Sequence, residues 1–171
     1  MSTGRPPTDD DLRTAAARLG RILARRGWQM ASAESCTGGL VGHAITQVPR
    51  SSDHYLGGVV SYSNSVKEDL LGVPAALITR AGAVSSDVAE AMARGALERF
   101  PAAQLCVAVT GIAGPDGGST EKPIGLTYVA AAVRDGRTVI ERHAWPHDRD
   151  GNKRASALAC LDAAARMAGE D

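Results

Sequence analysis

The residues best suited to chemistry in this 171-residue sequence lie at positions 31–40, which read ASAESCTGGL. Ser35, Cys36 and Thr37 stand side by side and are followed by Gly38 and Gly39. Serine and cysteine act as nucleophiles in acyl transfer, and glycine permits the tight turns on which such side chains are presented. Three roles are open for this stretch. It presents a nucleophile on a turn, it binds an anion, or it only supplies the small residues needed where a strand passes into a helix.

The choice between the two nucleophiles depends on the available base. A Cys36 thiol at the amino end of a helix would have a lowered pKa and would ordinarily be the stronger nucleophile. Its usual activator is a histidine, and no histidine falls into a recognisable metal or triad spacing. The four histidines are therefore expected to be surface or core residues: His43, His54, His143 and His147.

A neutral lysine can activate a serine instead, and this directs attention to residues 61–73, SYSNSVKEDLLGV. Tyr62 is expected at the end of a strand and Lys67 one turn into the next helix. Both side chains can then point towards the sheet edge that carries Ser35. The SxxK spacing is absent, and a strand tyrosine or a lysine beside a glutamate is commonly structural. A Ser-Lys-Tyr cluster is thus permitted by the pattern but not required by it.

Helix-like and strand-like segments alternate along the chain, which predicts an α/β fold. We expect a three-layer α/β/α sandwich with a mixed, mostly parallel sheet and an antiparallel pair at a hairpin turning at Asp135 and Gly136. Residues 1–171 form one domain, with 1–7 as a flexible tail. The predicted helices are 9–27, 36–48, 64–73, 87–100 and 150–168, and the predicted strands are 28–33, 55–63 and 104–114, followed by the hairpin over 124–145.

A second glycine-rich loop, TGIAGPDGGS at 110–119, follows a predicted buried strand. Ligands commonly bind at the carboxyl ends of strands in open α/β sheets, so this loop and the turn at 35–39 are expected to share one pocket. Backbone N–H groups there can receive a phosphate or a developing oxyanion. Neither loop matches GxGxxG or GxxxxGK[ST], so turn geometry is an equally open explanation of the glycines.

Composition narrows the classes of partner. Nineteen basic and nineteen acidic residues balance, so bulk charge favours neither nucleic acid nor membrane, and a small-molecule substrate is expected. Three cysteines with no CxxC pair fit a reducing compartment. No apolar signal core or run of membrane-spanning length is visible in the sequence. A cytoplasmic protein is expected.

Six blocks occur in an order typical of one family: AESCTGG, SYSN with a lysine three residues on, LLGV, GAVS, TGIAGPDGG and KPIG. In this order they resemble the carboxy-terminal domain of the bacterial competence/damage-inducible protein CinA and its stand-alone relatives, over roughly residues 10–165. The resemblance implies an amidohydrolase that converts nicotinamide mononucleotide to nicotinate mononucleotide and ammonia in pyridine nucleotide recycling. It also implies a homo-oligomer, and the reaction needs no metal or other cofactor.

The resemblance also assigns roles to residues. Ser35 is implied as the nucleophile, Lys67 as its base and Tyr62 as a proton-relay partner. Where relatives resemble F-x-G-D-R followed by a further arginine, this chain reads WPHDRDGNKR, so Asp148 and Arg149 align and His147 takes the place of the glycine. The expected substrate-binding residues are Cys36, Thr37, Gly38, Gly39, Asn64, Thr110, Gly111, Gly114 and Arg149.

Three alternatives stay open from the sequence. Arg149 contacts the substrate phosphate, or it pairs on the surface with Asp148 or Asp150. Cys36 is the nucleophile, with Ser35 as a hydrogen-bonding neighbour. The whole protein is a non-catalytic nucleotide-binding or interaction module associated with competence or DNA damage, which would use the same two loops without chemistry.

Overall fold

The computed structural model describes residues 4–169, which form helices around one sheet. The helices are α1 Asp9–Arg26, α2 Leu40–Thr46, α3 Asn64–Leu71, α4 Ala75–Ala81, α5 Ser86–Arg99 and α6 Arg149–Met167. The strands are β1 Met30–Glu34, β2 Tyr55–Val60, β3 Leu105–Gly111, β4 Leu126–Val133 and β5 Thr138–Ala144.

The sheet has the strand order β2-β1-β3-β4-β5. Strand β1 runs parallel to both β2 and β3, whereas β4 is antiparallel to both β3 and β5. Four strands therefore point in one direction and β4 alone in the other, which confirms the mixed, mostly parallel sheet. The β3–β4 pair adds a second antiparallel pairing to the predicted hairpin. The carboxyl ends of β1, β2 and β3 meet at one edge.

Two separate apolar cores confirm the three layers. The core on one face of the sheet joins α1, α2 and α6, and the core on the other face joins α3, α4 and α5. Strand β3 contributes to both because side chains alternate between the faces of a strand. Leu105, Val107 and Val109 point into the first core, and Cys106 and Ala108 into the second.

Two helix starts follow the capping residues that the sequence indicates, whereas α2 begins at Leu40 rather than at the predicted residue 36. Thr8 forms a capping box with Asp11 at the start of α1, and Ser85 accepts a hydrogen bond from the Val88 N–H at the start of α5. The sequence pattern of residues 74–84 does not predict helix α4. Because Ile78 is its one buried residue, α4 has little of the apolar periodicity that marks a helix in a sequence.

A close approach fixes the position of α3 against α5. A Cβ atom on Gly95 of α5 would lie 1.8 Å from the backbone oxygen of Leu71, the last residue of α3. Only glycine allows the two helices to pack at this distance. The contact matters for the site because α3 carries Lys67.

The predicted tail is described in part. Residues 1–3 lie outside the described residues, and in residues 4–7 Arg5 pairs with Asp11 at 2.9 Å. The flexible tail and the single-domain boundary stay predictions. Within residues 4–169 no helix combines the length and the apolar character needed to cross a membrane.

Candidate active site

The structure brings Ser35 and Lys67 into direct contact. Lys67 Nζ lies 3.0 Å from Ser35 Oγ. Ser35 directly follows β1, and its N–H donates to the Val109 carbonyl of β3 at 3.0 Å. Lys67 lies in α3, which begins shortly after β2 ends. Both side chains are buried, with exposed fractions of 7% for Ser35 and 1% for Lys67.

The surroundings of Lys67 favour a neutral amine. Besides Ser35, its Nζ contacts the carbonyl oxygens of Ser61 at 2.7 Å and Tyr62 at 3.3 Å. In the described part of the chain no carboxylate pairs with it. Burial lowers the pKa of Lys67, and the nearby Cys36 thiol opposes this shift to a smaller extent. A neutral amine has two N–H donors and one lone pair, which match two carbonyls and the hydroxyl of Ser35.

Glu34 is a functional residue that sequence reasoning missed. Its side chain lies at the first turn of α2 and is 2% exposed. Oε2 accepts from the Thr37 hydroxyl at 2.7 Å and from two N–H groups at 3.0 Å, and Oε1 accepts from a third N–H at 2.9 Å. The three N–H donors are Gly39, Val41 and Gly42. The chain's own carboxylate thus fills the helix terminus that the sequence suggests for a substrate anion.

The main chain of Glu34 links the two halves of the site. Its carbonyl oxygen accepts from the Ser61 N–H at 2.7 Å and from the Ser61 hydroxyl at 3.3 Å. Ser61 in turn offers its carbonyl to Lys67. Glu34 therefore positions the turn that follows Ser35 through its side chain, and the surroundings of Lys67 through its backbone. An acidic residue between a buried strand and a helix start is the signal that could have identified it.

The glycines at 38 and 39 serve the turn itself. Gly38 has a φ of 65° and Gly39 a φ of 99°, in the left-handed region that favours glycine. The Gly38 N–H closes the turn by donating to the Ser35 carbonyl at 3.1 Å. Among the described residues, the N–H groups of Cys36 and Thr37 have no backbone acceptor, and the Cys36 N–H contacts only its own thiol, so the turn retains two donors beside Ser35.

A cavity of about 180 Å³ lies over Ser35 and is shared by the two glycine-rich loops, as the sequence predicts. Ala83 and Val84, between α4 and α5, form a wall that was not predicted. The lining residues are Ser35, Cys36, Tyr62, Lys67, Ala83, Val84, Thr110, Gly111, Ala113 and Arg149.

The second loop is held by close contacts. The Thr110 hydroxyl donates to the Ala83 carbonyl at 2.8 Å, so it stabilises the cavity wall. A Cβ atom on Gly111 would lie 2.8 Å from the Leu126 carbonyl and 3.1 Å from Cys36 Sγ, so only glycine fits there. The glycine allows the loop to pass directly beside the turn that carries Ser35.

Arg149 reaches the cavity from the first turn of α6. Its Nη1 donates to the Gly114 carbonyl at 2.5 Å. The predicted alternative, a surface pair with a neighbouring aspartate, is not observed within residues 4–169. Asp148 accepts from the Gly151 N–H as the cap of α6, and Asp150 pairs with Arg154.

Tyr62 and Asn64 are placed differently from the other predicted residues. Tyr62 lines the cavity but is 64% exposed, and its contact with Lys67 is through its carbonyl. Its hydroxyl has no hydrogen-bond partner in the described residues. Asn64 is an exposed residue at the start of α3 and does not line the cavity.

Cys36 is poorly suited to act as the nucleophile. Burial, with a smaller contribution from the charge of Glu34, raises the pKa of its thiol to about 12, so the thiolate is scarce near neutral pH. No histidine lines the cavity, so the usual base is not at hand. In residues 4–169 there is also no cluster of three or more His, Cys, Asp or Glu side chains that could hold a metal ion.

Replacing Glu34 tests whether its carboxylate organises the turn. In Glu34→Gln the amide nitrogen would face groups that are all donors, so at least one charge-assisted hydrogen bond is lost. We expect the free energy of unfolding to fall by about 1.5–3 kcal/mol in urea titrations followed by circular dichroism. The exposed Glu121→Gln is the matched control and should change stability by less than about 0.5 kcal/mol. Equal stabilities of the two variants would contradict this role.

Comparisons with known proteins agree with the geometry. Residues 12–168 match the family model described as the CinA C-terminal domain. A CinA-like protein of Geobacter sulfurreducens is 49% identical over 154 residues, which cover 90% of this chain and 36% of that protein. The chain thus spans about a third of the length of this relative. The nicotinamide-nucleotide amidohydrolase PncC of Pseudomonas putida is 47% identical over 154 residues, covering 90% of this chain and 94% of that protein.

Solved structures of similar fold also come from CinA-type proteins. The competence/damage inducible protein CihA of Agrobacterium tumefaciens has a TM-score of 0.85 and 38% identity, with 94% of this chain and 96% of that chain covered. A CinA superfamily protein of Escherichia coli has a TM-score of 0.86 and 28% identity, with 95% and 92% covered. The match of sequence, fold and length of the domain leads to one conclusion: the chain belongs to the CinA C-terminal domain family.

Proposed function

We propose that this protein is a serine amidohydrolase that deamidates nicotinamide mononucleotide to nicotinate mononucleotide and ammonia, as a step in pyridine nucleotide recycling. One observation carries the proposal: a buried lysine without a carboxylate partner lies 3.0 Å from a serine hydroxyl at the wall of a cavity. The substrate is suggested by the name of the Pseudomonas putida relative, a nicotinamide-nucleotide amidohydrolase of nearly the same length.

The first half of the reaction forms an acyl-enzyme. Neutral Lys67 takes the proton of the Ser35 hydroxyl while Oγ attacks the carboxamide carbon. The carbonyl oxygen becomes an oxyanion, for which the N–H groups of Cys36 and Thr37 are the available donors. The carbon–nitrogen bond then breaks, and protonated Lys67 returns the proton so that ammonia leaves. Tyr62, at the exposed side of the cavity, is the proposed relay for this proton.

The second half of the reaction hydrolyses the ester. Water enters the position of the departed ammonia, and Lys67 accepts its proton as the oxygen attacks the acyl carbon. Collapse of this second tetrahedral intermediate returns the proton to Ser35 Oγ and releases the carboxylic acid, which loses its remaining proton to water and becomes nicotinate. Each step uses Lys67 alternately as base and acid, so its lowered pKa serves both directions of proton transfer.

The cavity accommodates the two ends of the substrate differently. The pyridine carboxamide is placed in the space over Ser35, between the turn at 35–39 and the wall formed by Ala83 and Val84. The ribose phosphate then points to the open side, where Arg149 is the proposed phosphate contact. A cytoplasmic location and a homo-oligomeric state stay predictions.

A non-catalytic binding module fits these observations less well. Burying an amine without a counter-charge disfavours the protonated form and costs stability near neutral pH. A module that only binds a nucleotide gains nothing from this cost. A base that must be neutral in order to accept a proton requires such an environment.

Replacing the proposed nucleophile and base tests the mechanism. We expect Ser35→Ala and Lys67→Ala to lose at least about 10²–10⁴-fold in kcat, because each removes a group that acts in the chemical step. Ammonia release and nicotinate mononucleotide formation are measured on variants shown to be folded by circular dichroism. Cys36→Ala is the matched control at the adjacent residue and should remain active. Wild-type turnover in Ser35→Ala, or loss confined to Cys36→Ala, would contradict the assignment.

The protonation state of Lys67 predicts the direction of the pH dependence. Only its neutral form accepts the Ser35 proton, so kcat/KM should rise with pH and level off above the pKa of Lys67. Because burial lowers that pKa, the rising limb should have its midpoint below 10.5, the ordinary value. The pH profile of wild type is compared with that of Lys67→Ala supplemented with a small primary amine. If Lys67→Ala without amine keeps the same limb, another group controls it.

The hydroxyl of Tyr62 is tested by removing it alone. If Tyr62 relays the proton to ammonia, Tyr62→Phe should lower kcat by about tenfold or more and change KM little. Steady-state kinetics on the mononucleotide separate the two constants. A Tyr62→Phe variant with normal kcat, together with a defective Tyr62→Ala, would reduce the role of Tyr62 to contact through its ring.

A further inference from the structure

Two basic side chains share one face at the start of α6. Arg149 and Lys153 are four residues apart, so they lie on the same side of the helix. Arg149 lines the cavity, whereas Lys153 lies over the neighbouring turn. Its Nζ would be 3.9 Å from a Cβ atom on Gly38, the nearest heavy atom to that position apart from Gly38 and its two chain neighbours. The charge of Lys153 also lowers the pKa of the Cys36 thiol, although burial raises that pKa by more. Because Cys36 lines the cavity, this interaction indicates that Lys153 lies near the cavity wall.

Neither cation has a carboxylate partner in the part of the chain that the structure describes. Within residues 4–169 Lys153 forms no ion pair or hydrogen bond although it is half-buried, and Arg149 donates only to the Gly114 carbonyl. The next residue along the helix is different, since Arg154 pairs with both Asp150 and Asp9. In the first turns of α6, the ion-paired Arg154 therefore lies away from the site, whereas Arg149 and Lys153, which have no carboxylate partner in residues 4–169, face it.

The chain's own anions near these cations are already engaged. Asp148 caps α6 by accepting from the Gly151 N–H at 2.8 Å, and Glu34 accepts four hydrogen bonds at the start of α2. Neither carboxylate is free to neutralise Lys153. A half-buried ammonium without a partner beside a cavity is a favourable contact for an anionic group of a ligand.

We propose that Lys153 is the second cation of a phosphate subsite that it forms with Arg149. This inference rests on the proposed function, and the ligand group is the phosphomonoester of the mononucleotide. With the carboxamide at Ser35, the ribose crosses the turn and places the phosphate above Gly38, between the two cations. Arg149 supplies a planar donor pair and Lys153 a point charge. Lys153 thereby determines specificity for the nucleotide over the riboside, without taking part in the chemical step.

Kinetics on two substrates test this role. Lys153→Met should lower kcat/KM for nicotinamide mononucleotide by about ten- to hundredfold, through KM, and leave the value for nicotinamide riboside unchanged. Lys153→Arg should restore most of the loss because it keeps the charge. Arg154→Met is the matched control, with the same change of charge at the adjacent position but on the paired side of α6, and should leave both values unchanged. An equal loss on both substrates, or no loss on either, would overturn the inference.

A binding measurement separates this inference from the proposed function. Ribose 5-phosphate carries the phosphate without the amide, so its affinity, measured by calorimetry, does not depend on catalysis. Wild type should bind it about ten- to hundredfold more tightly than Lys153→Met does. If this difference is found and no mononucleotide is deamidated, the subsite stands and the proposed function fails. If wild type deamidates the mononucleotide but Lys153→Met matches it in both assays, the inference fails alone.

Discussion

The buried carboxylate of Glu34 is the interaction on which the arrangement of this site depends. Its side chain gathers the first N–H groups of α2, and its carbonyl oxygen holds Ser61 at the end of β2. Ser35 is the next residue after Glu34, and the Ser61 carbonyl binds Lys67. The serine and the lysine come from different elements, yet both are fixed relative to one residue. Their 3.0 Å contact follows from this common anchor.

The same four hydrogen bonds keep the carboxylate away from the lysine. A carboxylate paired with Lys67 would stabilise the ammonium and raise its pKa, which would remove the base. The protein instead contacts the amine with two neutral carbonyls and a hydroxyl, so desolvation lowers the pKa, and the Cys36 thiol opposes this shift only to a smaller extent. The negative charge of Glu34 is satisfied by α2, whose first N–H groups need an acceptor in any case. One residue thus stabilises a helix and adds no counter-charge that would oppose the lowered pKa of the base.

The sequence predicts the layers better than the site. Periodicity and capping residues locate most elements, and Thr8 and Ser85 cap the helices as expected, whereas α4 lacks the apolar pattern that would reveal it. Spacing alone permits Lys67 to reach Ser35 but does not require it, because a surface lysine has the same pattern. The role of Glu34 as a buried acceptor could not be predicted from its residue type, since acidic residues are seldom fully buried. Three of its four donors are backbone N–H groups, whose positions are set by the fold. These contacts depend on the fold rather than on spacing along the chain.

The distribution of charge links the base to the proposed substrate. The chain has no net charge, and most of its surface aspartates and glutamates pair with arginines, but Lys67, Arg149 and Lys153 have no carboxylate partner in the described residues. A phosphate near the cavity would raise the pKa of Lys67 if its charge reached the amine, and the pyridinium ring would lower it. In the proposed complex, Arg149 and Lys153 neutralise the phosphate at the open side, while the pyridinium lies beside Ser35. The two cations then serve catalysis indirectly, because they keep the negative charge of the phosphate from stabilising the protonated form of Lys67.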